Sequence, residues 1–182
     1  MENHDQIHID RVLKGDHAAF GILVDKYKRM VYTVALKIMD NAADAEDVAQ
    51  ESFVKAFRQL HTFEGKSKFS TWLYTIVYRT AVSKLQENNL ETQPITPEIA
   101  DNYAPDGTAS AVEELQAADQ QCYVRAAIQR LPKMEALLVT LYYLEENSVK
   151  EIQEITGLTT ENIKVRLFRA RKKLEEWLQF LM

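Results

Sequence analysis

The chain has one cysteine, Cys122, so an internal disulfide is excluded. His4, His8, His17 and His61 are scattered without a cluster of further ligands, and no cysteine joins them, so neither a metal centre nor any other cofactor is expected. No apolar run approaches bilayer-spanning length, and the opening MENHDQIHID is polar and acidic, unlike a targeting sequence. These absences point to a cytoplasmic chain that does not insert into a membrane. Charge is also missing locally. Residues 86–115 contain no Lys or Arg, and residues 164–173 contain no Asp or Glu.

What is present begins with the C-terminal stretch from Asn147 to Leu174. Ser148 followed by Glu151 is a capping box, predicting a short helix with Ile152 and Ile155 inward, and Gly157 stops it. Leu158 fills the turn. Thr159 can cap a second helix whose apolar stripe runs Ile163, Leu167, Ala170, Leu174. Two short helices around a glycine turn predict a helix-turn-helix. Lys164, Arg166, Arg169, Arg171, Lys172 and Lys173 cover the rest of the second helix, with an outward Phe168. Cations without intervening acids suit phosphates and guanine edges, and an aromatic suits thymine methyls, so duplex DNA is the expected ligand. The net charge of −5 then implies that the chain alone binds DNA weakly and depends on a partner.

From the N-terminus, a helix over Ile7 to Lys14 ends at Gly15, and Asp16 can cap a long one. Its stripe is Phe20, Leu23, Val24, Tyr27, Val31, Val34, Ala35 and Ile38. After a turn at Asn41 comes an acidic helix with Ala49, Phe53, Ala56, Phe57 and Leu60 inward and Asp47, Gln50, Glu51 and Lys55 outward. Carboxylates on one helix lack the second set of ligands that Mg²⁺ needs, so enzyme chemistry is not expected. Dipole capping accounts for Asp44 to Asp47 but not for Gln50 and Glu51 in mid-helix, which leaves a protein-binding face open.

A polar loop, His61 to Lys68, leads to a helix capped by Ser70 with Leu73, Ile76, Val77 and Ala81 inward. Around it lie Trp72, Tyr74, Tyr78, Arg79 and Lys84, beside Lys66 and Lys68. Aromatics interleaved with cations suit a single strand; Trp72 and Tyr74 could equally be core. Residues 86–115 hold seven acids and three of the four prolines without periodicity, as in a flexible linker. Beyond it, a helix carrying Leu115, Cys122, Ala126 and Ile128 ends at Leu131. Pro132 opens another with Met134, Leu137, Leu138, Leu141 and Tyr142 inward. The expected fold is all-α: two small helical domains, 1–85 and 116–182, joined by an acidic linker over 86–115, the second domain a helix-turn-helix.

Three stretches together resemble bacterial sigma factors of the extracytoplasmic-function group. DAEDVAQESFVKAF is similar to their polymerase-clamp-binding helix, FSTWLYTIVYRTAVSKL to their promoter-melting helix, and LPKMEALLVTLYYLEENSVKEIQEITGLTTENIKVRLFRARKKL to their upstream-element reader. The resemblance implies core RNA polymerase as partner through its beta-prime and beta subunits, with Asp47, Gln50 and Glu51 against the beta-prime coiled coil. It implies that Phe63, Lys66, Lys68, Trp72, Tyr74 and Arg79 hold the unpaired minus-10 strand. It also implies that Lys164, Val165, Phe168 and Arg169 enter the major groove at the minus-35 element, with Arg166, Arg171 and Lys172 nearer phosphates. Promoter DNA and an anti-sigma factor are the other implied partners, and the reaction chemistry belongs to the polymerase.

Arg79 stands where family members often carry asparagine. Glu161 stands where small residues are common; it either accepts a hydrogen bond from cytosine or faces the helix dipole. The alternative reading is a helix-turn-helix activator or repressor with an N-terminal helical sensor domain.

Overall fold

A computed structural model describes residues 4–39, 41–90 and 117–179, all helices and turns with no strand among them. The helices are α1 (His4–Leu13), α2 (Ala18–Ile38), α3 (Ala42–Gln59), α4 (Phe69–Leu90), α5 (Ala117–Gln129), α6 (Lys133–Val139), α7 (Val149–Thr156) and α8 (Thr160–Trp177). The chain divides into two compact units, the first holding α1–α4 together with residues 154–157 and the second the remaining helical elements. The all-α, two-unit expectation holds. Of the expected linker, residues 86–90 instead belong to α4, and residues 91–115 lie outside the described residues.

In the first unit α2, α3 and α4 pack mutually and α1 lies along α2. Val31, Val34, Ala35, Ile38, Val48, Ala56, Leu73, Tyr74 and Val77 are all essentially inaccessible, so the core lies between the three long helices. Asp5 fastens α1 to α2, accepting hydrogen bonds from Lys26 Nζ at 2.5 Å and Tyr27 Oη at 2.7 Å. The N-cap of α2 falls on His17, without a side-chain hydrogen bond, rather than on the expected Asp16, and the turn expected at Asn41 supplies the cap of α3. The Asp16 carboxyl is held below its usual range by Arg11, with help from the Ala19 and Ala18 amides, and Asn41 Oδ1 accepts from the Asp44 amide at 2.8 Å. The stripe of α3 differs from expectation. Ala45, Val48, Ala49, Ser52 and Ala56 are buried, whereas Phe53 is half-buried and Phe57 is exposed on its edge contacts with His17 and Phe20.

In the second unit α6 packs on α8, and α5 touches both. Arg130 lies over the Trp177 ring at 4.9 Å, joining the end of α5 to the end of α8. Tyr142, expected inside, is exposed, because α6 runs on into a wider π-helical turn, Thr140–Leu144. There Glu145 N–H bonds back five residues to the Thr140 carbonyl, and the added residue rotates Tyr142 outward. Leu141 stays buried, and Asn147 closes the turn by donating from its backbone and side chain to the Leu141 carbonyl at 3.0 and 3.1 Å.

Both capping signals of the C-terminal motif are formed. Ser148 N–H donates to Glu151 Oε2 at 2.7 Å while Glu151 N–H donates to Ser148 Oγ at 3.2 Å. Thr159 Oγ1 accepts from the Asn162 amide at 3.3 Å. Between them Gly157 sits at φ +74°, where a side chain is strained even though a Cβ would meet nothing within 4 Å. Gly157→Ala is therefore expected to lower stability by about 1–2 kcal/mol through backbone strain alone. Thermal unfolding checks this, and Gly157→Asn, which tolerates the left-handed region better, should lose less.

Candidate protein and nucleic-acid interfaces

On α3, Asp47, Gln50 and Glu51 are exposed as expected, but two of the three are tied to lysines of the same chain. Lys84 of α4 places Nζ 2.9 Å from Asp47 and 3.7 Å from Asp44. The hydrogen bond to Asp47, followed by the attraction of both carboxylates, raises the Lys84 pKa above its ordinary 10.5. The contribution is thus complete at neutral pH and is lost only as pH rises through that raised value. Glu51 pairs with Lys55 at 2.7 Å, and Lys55 also donates to Thr80 at 3.3 Å.

Sequence reasoning missed what lies beside Gln50. Val54 and Phe57 are 48 % and 38 % exposed, and at about 100° per residue Phe57 lies only about 20° round α3 from Gln50. This face therefore offers a carboxylate edge on one side and an apolar, amide-bearing edge on the other. The signal was present: centring the wheel on Ala45, Ala49, Ser52 and Ala56 puts Phe57 outside.

The loop before α4 gathers an aromatic group. Phe63 lies 5.5 Å from Trp72 and 5.7 Å from Phe69, Phe69 lies 5.6 Å from Trp72, and Tyr27 lies 5.6 Å from Phe69. Phe63 and Trp72 are half-buried, so part of each ring reaches the surface beside exposed Lys66, Lys68 and, one helix turn or more along, exposed Arg79. Lys66 pairs with Glu64 in the same loop. Tyr74 is a correction: it is fully buried, with Leu73, Val77 and Ala81 also inward, and its ring stands edge-on to Tyr27 at 6.5 Å. It is core and presents no face to a strand. The helix also starts at Phe69 rather than after Ser70, with the Trp72 amide donating to the Lys68 carbonyl at 3.2 Å.

On α8 the inward stripe of Ile163, Leu167 and Ala170 is as expected, with Leu174 half-buried. Lys164, Val165, Phe168, Arg169, Arg171 and Lys172 are exposed, Phe168 by 54 %. Lys172 Nζ sits 5.1 Å above the Phe168 ring, and Arg171 pairs with Glu175 at 3.1 Å. Arg166 differs from the other cations. It is half-buried, with Nη1 2.8 Å from Glu135 of α6 and Nε 2.9 Å from Asn162. Glu161 is exposed at the helix start, and its carboxyl is held below the usual range by its own backbone N–H and then by the Thr160 hydroxyl, 2.9 Å away.

Among the described residues, no three His, Cys, Asp or Glu side chains come together as a metal site would require. Nor is any helix among them long and apolar enough to cross a membrane.

Two family models match the chain, Sigma-70 region 2 over residues 23–90 and Sigma-70 region 4 over residues 123–174. Among curated proteins, it is 34 % identical to the ECF RNA polymerase sigma-E factor of Haemophilus influenzae, over 98 % of this chain and 97 % of that protein. It is 30 % identical to the ECF RNA polymerase sigma factor SigW of Bacillus subtilis, over all of both chains. Among solved structures, the fold is similar to CnrH in complex with the cytosolic domain of CnrY, with a TM-score of 0.62 and 22 % identity, over 96 % of this chain and 97 % of that one. It is also similar to the sigma factor RpoE in complex with the anti-sigma factor NepR from Bartonella quintana, with a TM-score of 0.63 and 22 % identity, over 88 % of this chain and 96 % of that one.

Proposed function

This chain belongs to the extracytoplasmic-function sigma factors of RNA polymerase, and from that premise we infer how its exposed faces share the work of initiation. A sigma factor binds core polymerase and promoter DNA and is not itself an enzyme. The region 2 match covers most of the N-terminal helices that a sensor domain would have occupied, so the activator or repressor alternative is set aside.

The α3 face of Asp47, Gln50 and Glu51 takes core polymerase, and Val54 and Phe57 extend it with apolar area. Phe63, Lys66, Lys68, Trp72 and Arg79 hold the opened minus-10 strand, the bases resting on the exposed parts of the rings while the cations follow the backbone. Lys164, Val165, Phe168 and Arg169 read the minus-35 major groove, and Arg171 and Lys172 meet phosphates. Residues 1–85 then form the polymerase and minus-10 module, and residues 116–182 the minus-35 module. The cytoplasm, where polymerase works, is its place. An anti-sigma factor is a further partner, a proposal supported by the family resemblance.

The observation that carries this reading is the exposed basic face of α8 on a helix whose start, turn and preceding helix are all capped as the sequence requires. Arg169→Ala tests it. Initiation from promoters with an intact minus-35 element should weaken by about 1–3 kcal/mol, with little change on templates lacking that element. Equal loss on both templates would remove Arg169 from base reading.

A further inference from the structure

We propose that Arg166 and Glu135 form a clamp between α8 and α6 that fixes the roll of α8 and so aims its reading face; Arg166 is a positioning residue, not a phosphate contact. This rests on α8 being the duplex reader. Arg166 stands on the shoulder of the helix, three residues from Ile163 and four from Ala170, both of which are fully buried. Its guanidinium is engaged at two points, Nη1 to Glu135 at 2.8 Å and Nε to Asn162 at 2.9 Å. A planar fork held at two atoms has one orientation.

Glu135 makes the clamp hard to release. Its side chain is only 12 % exposed, and its second carboxylate oxygen is buried without a hydrogen-bond partner among the described residues. Withdrawing Arg166 to reach a phosphate would strand a nearly buried carboxylate without a counter-charge, the costly outcome for such a pair. The other cations of α8 carry no such obligation. Roll matters because side-chain ends on a helix of about 5–6 Å radius move roughly 2 Å for a rotation of about 20°. That exceeds the roughly 0.5 Å spread of hydrogen-bond distances. Val165 precedes Arg166 and Phe168 follows it by two, so the clamp governs the middle of the exposed face.

The test uses holoenzyme assembled from core polymerase and the full chain, on promoter fragments with intact or scrambled minus-35 elements, over a range of salt. Arg166→Met and Glu135→Gln should each lower the preference for the intact element by about fivefold or more. Neither should change the slope of binding against salt. Glu135→Met with Arg166→Met, an apolar pair in place of the ionic one, should recover most of the lost preference. A phosphate contact predicts the opposite set: Arg166→Met lowers the slope by about one, Glu135→Gln tightens binding, and the double variant is no better than Arg166→Met. That set would overturn the clamp, as would variants with lowered thermal stability but unchanged preference, because aim would then not depend on the pair. If either single variant fails to fold, the double variant decides alone, by parent-like preference and slope or by loss of both. Arg169→Ala in parallel separates the two claims: no effect there removes α8 as the reader, whereas a clear effect with phosphate-like behaviour at 166 removes only the clamp.

Discussion

A Glu51→Lys protein is expected to unfold within about 0.5 kcal/mol of the parent yet to lose its association with core polymerase. Glu51 is exposed, so reversing its charge disturbs no core. The local cost is its pair with Lys55, 2.7 Å away, replaced by a like-charge neighbour four residues on, a change of a few tenths of a kcal/mol. Binding is a different matter, because a face carrying Asp47 and Glu51 complements a partner of opposite charge, and a lysine in the middle of it reverses that complementarity at short range. Helicity, thermal unfolding and co-elution with core polymerase together decide it. Retained co-elution would take Glu51 out of the interface, and collapse of the fold would make it a structural residue.

Tyr74→Ala and Trp72→Ala, two positions apart on α4, should fail in different ways. Tyr74 is fully buried, and truncating an aromatic of that size costs about 3–5 kcal/mol, so the first unit should lose much of its stability and all downstream functions should fall together. Trp72 is half-buried on the Phe63 and Phe69 rings, so its loss should cost less stability and act chiefly on strand opening. A template already unpaired across the minus-10 region separates them. It should restore initiation by the Trp72→Ala protein and leave the Tyr74→Ala protein defective. Restoration of both would return Tyr74 to the surface, and restoration of neither would detach Trp72 from opening.

Local signals were legible wherever the chemistry is contained within a few residues. Ser148 with Glu151, Thr159 and the glycine at 157 each did what its type and spacing require, because a cap needs only its own turn. Facing direction was less legible. Trp72 and Tyr74 are both aromatic, and at about 100° per residue they point to nearly opposite sides of α4; the packing of α4 on α2 and α3, with Tyr27 edge-on to Tyr74, makes the Tyr74 side the inner one. Phe57 was expected inside because it is large and apolar, yet small residues such as Ala45, Ala49 and Ala56 occupy the close approach of α3 to its neighbours. Arg166 looked like its neighbouring cations, since nothing within α8 reveals a carboxylate thirty-one residues earlier. Tyr142 was misplaced for a backbone reason, the π-helical turn, which breaks the period on which a wheel depends.

The chain has two tryptophans, and each unit contains one: Trp72 among Phe63 and Phe69 in the first, Trp177 beneath Arg130 in the second. Intrinsic fluorescence is therefore already divided between the two halves of the molecule. Replacing either indole with phenylalanine leaves a single tryptophan, and excitation at wavelengths the eight tyrosines do not absorb lets the melting of one unit be followed without interference from the other. The Trp72 emitter also lies where unpaired bases would stack, so its quenching would report strand capture in real time, without an attached dye.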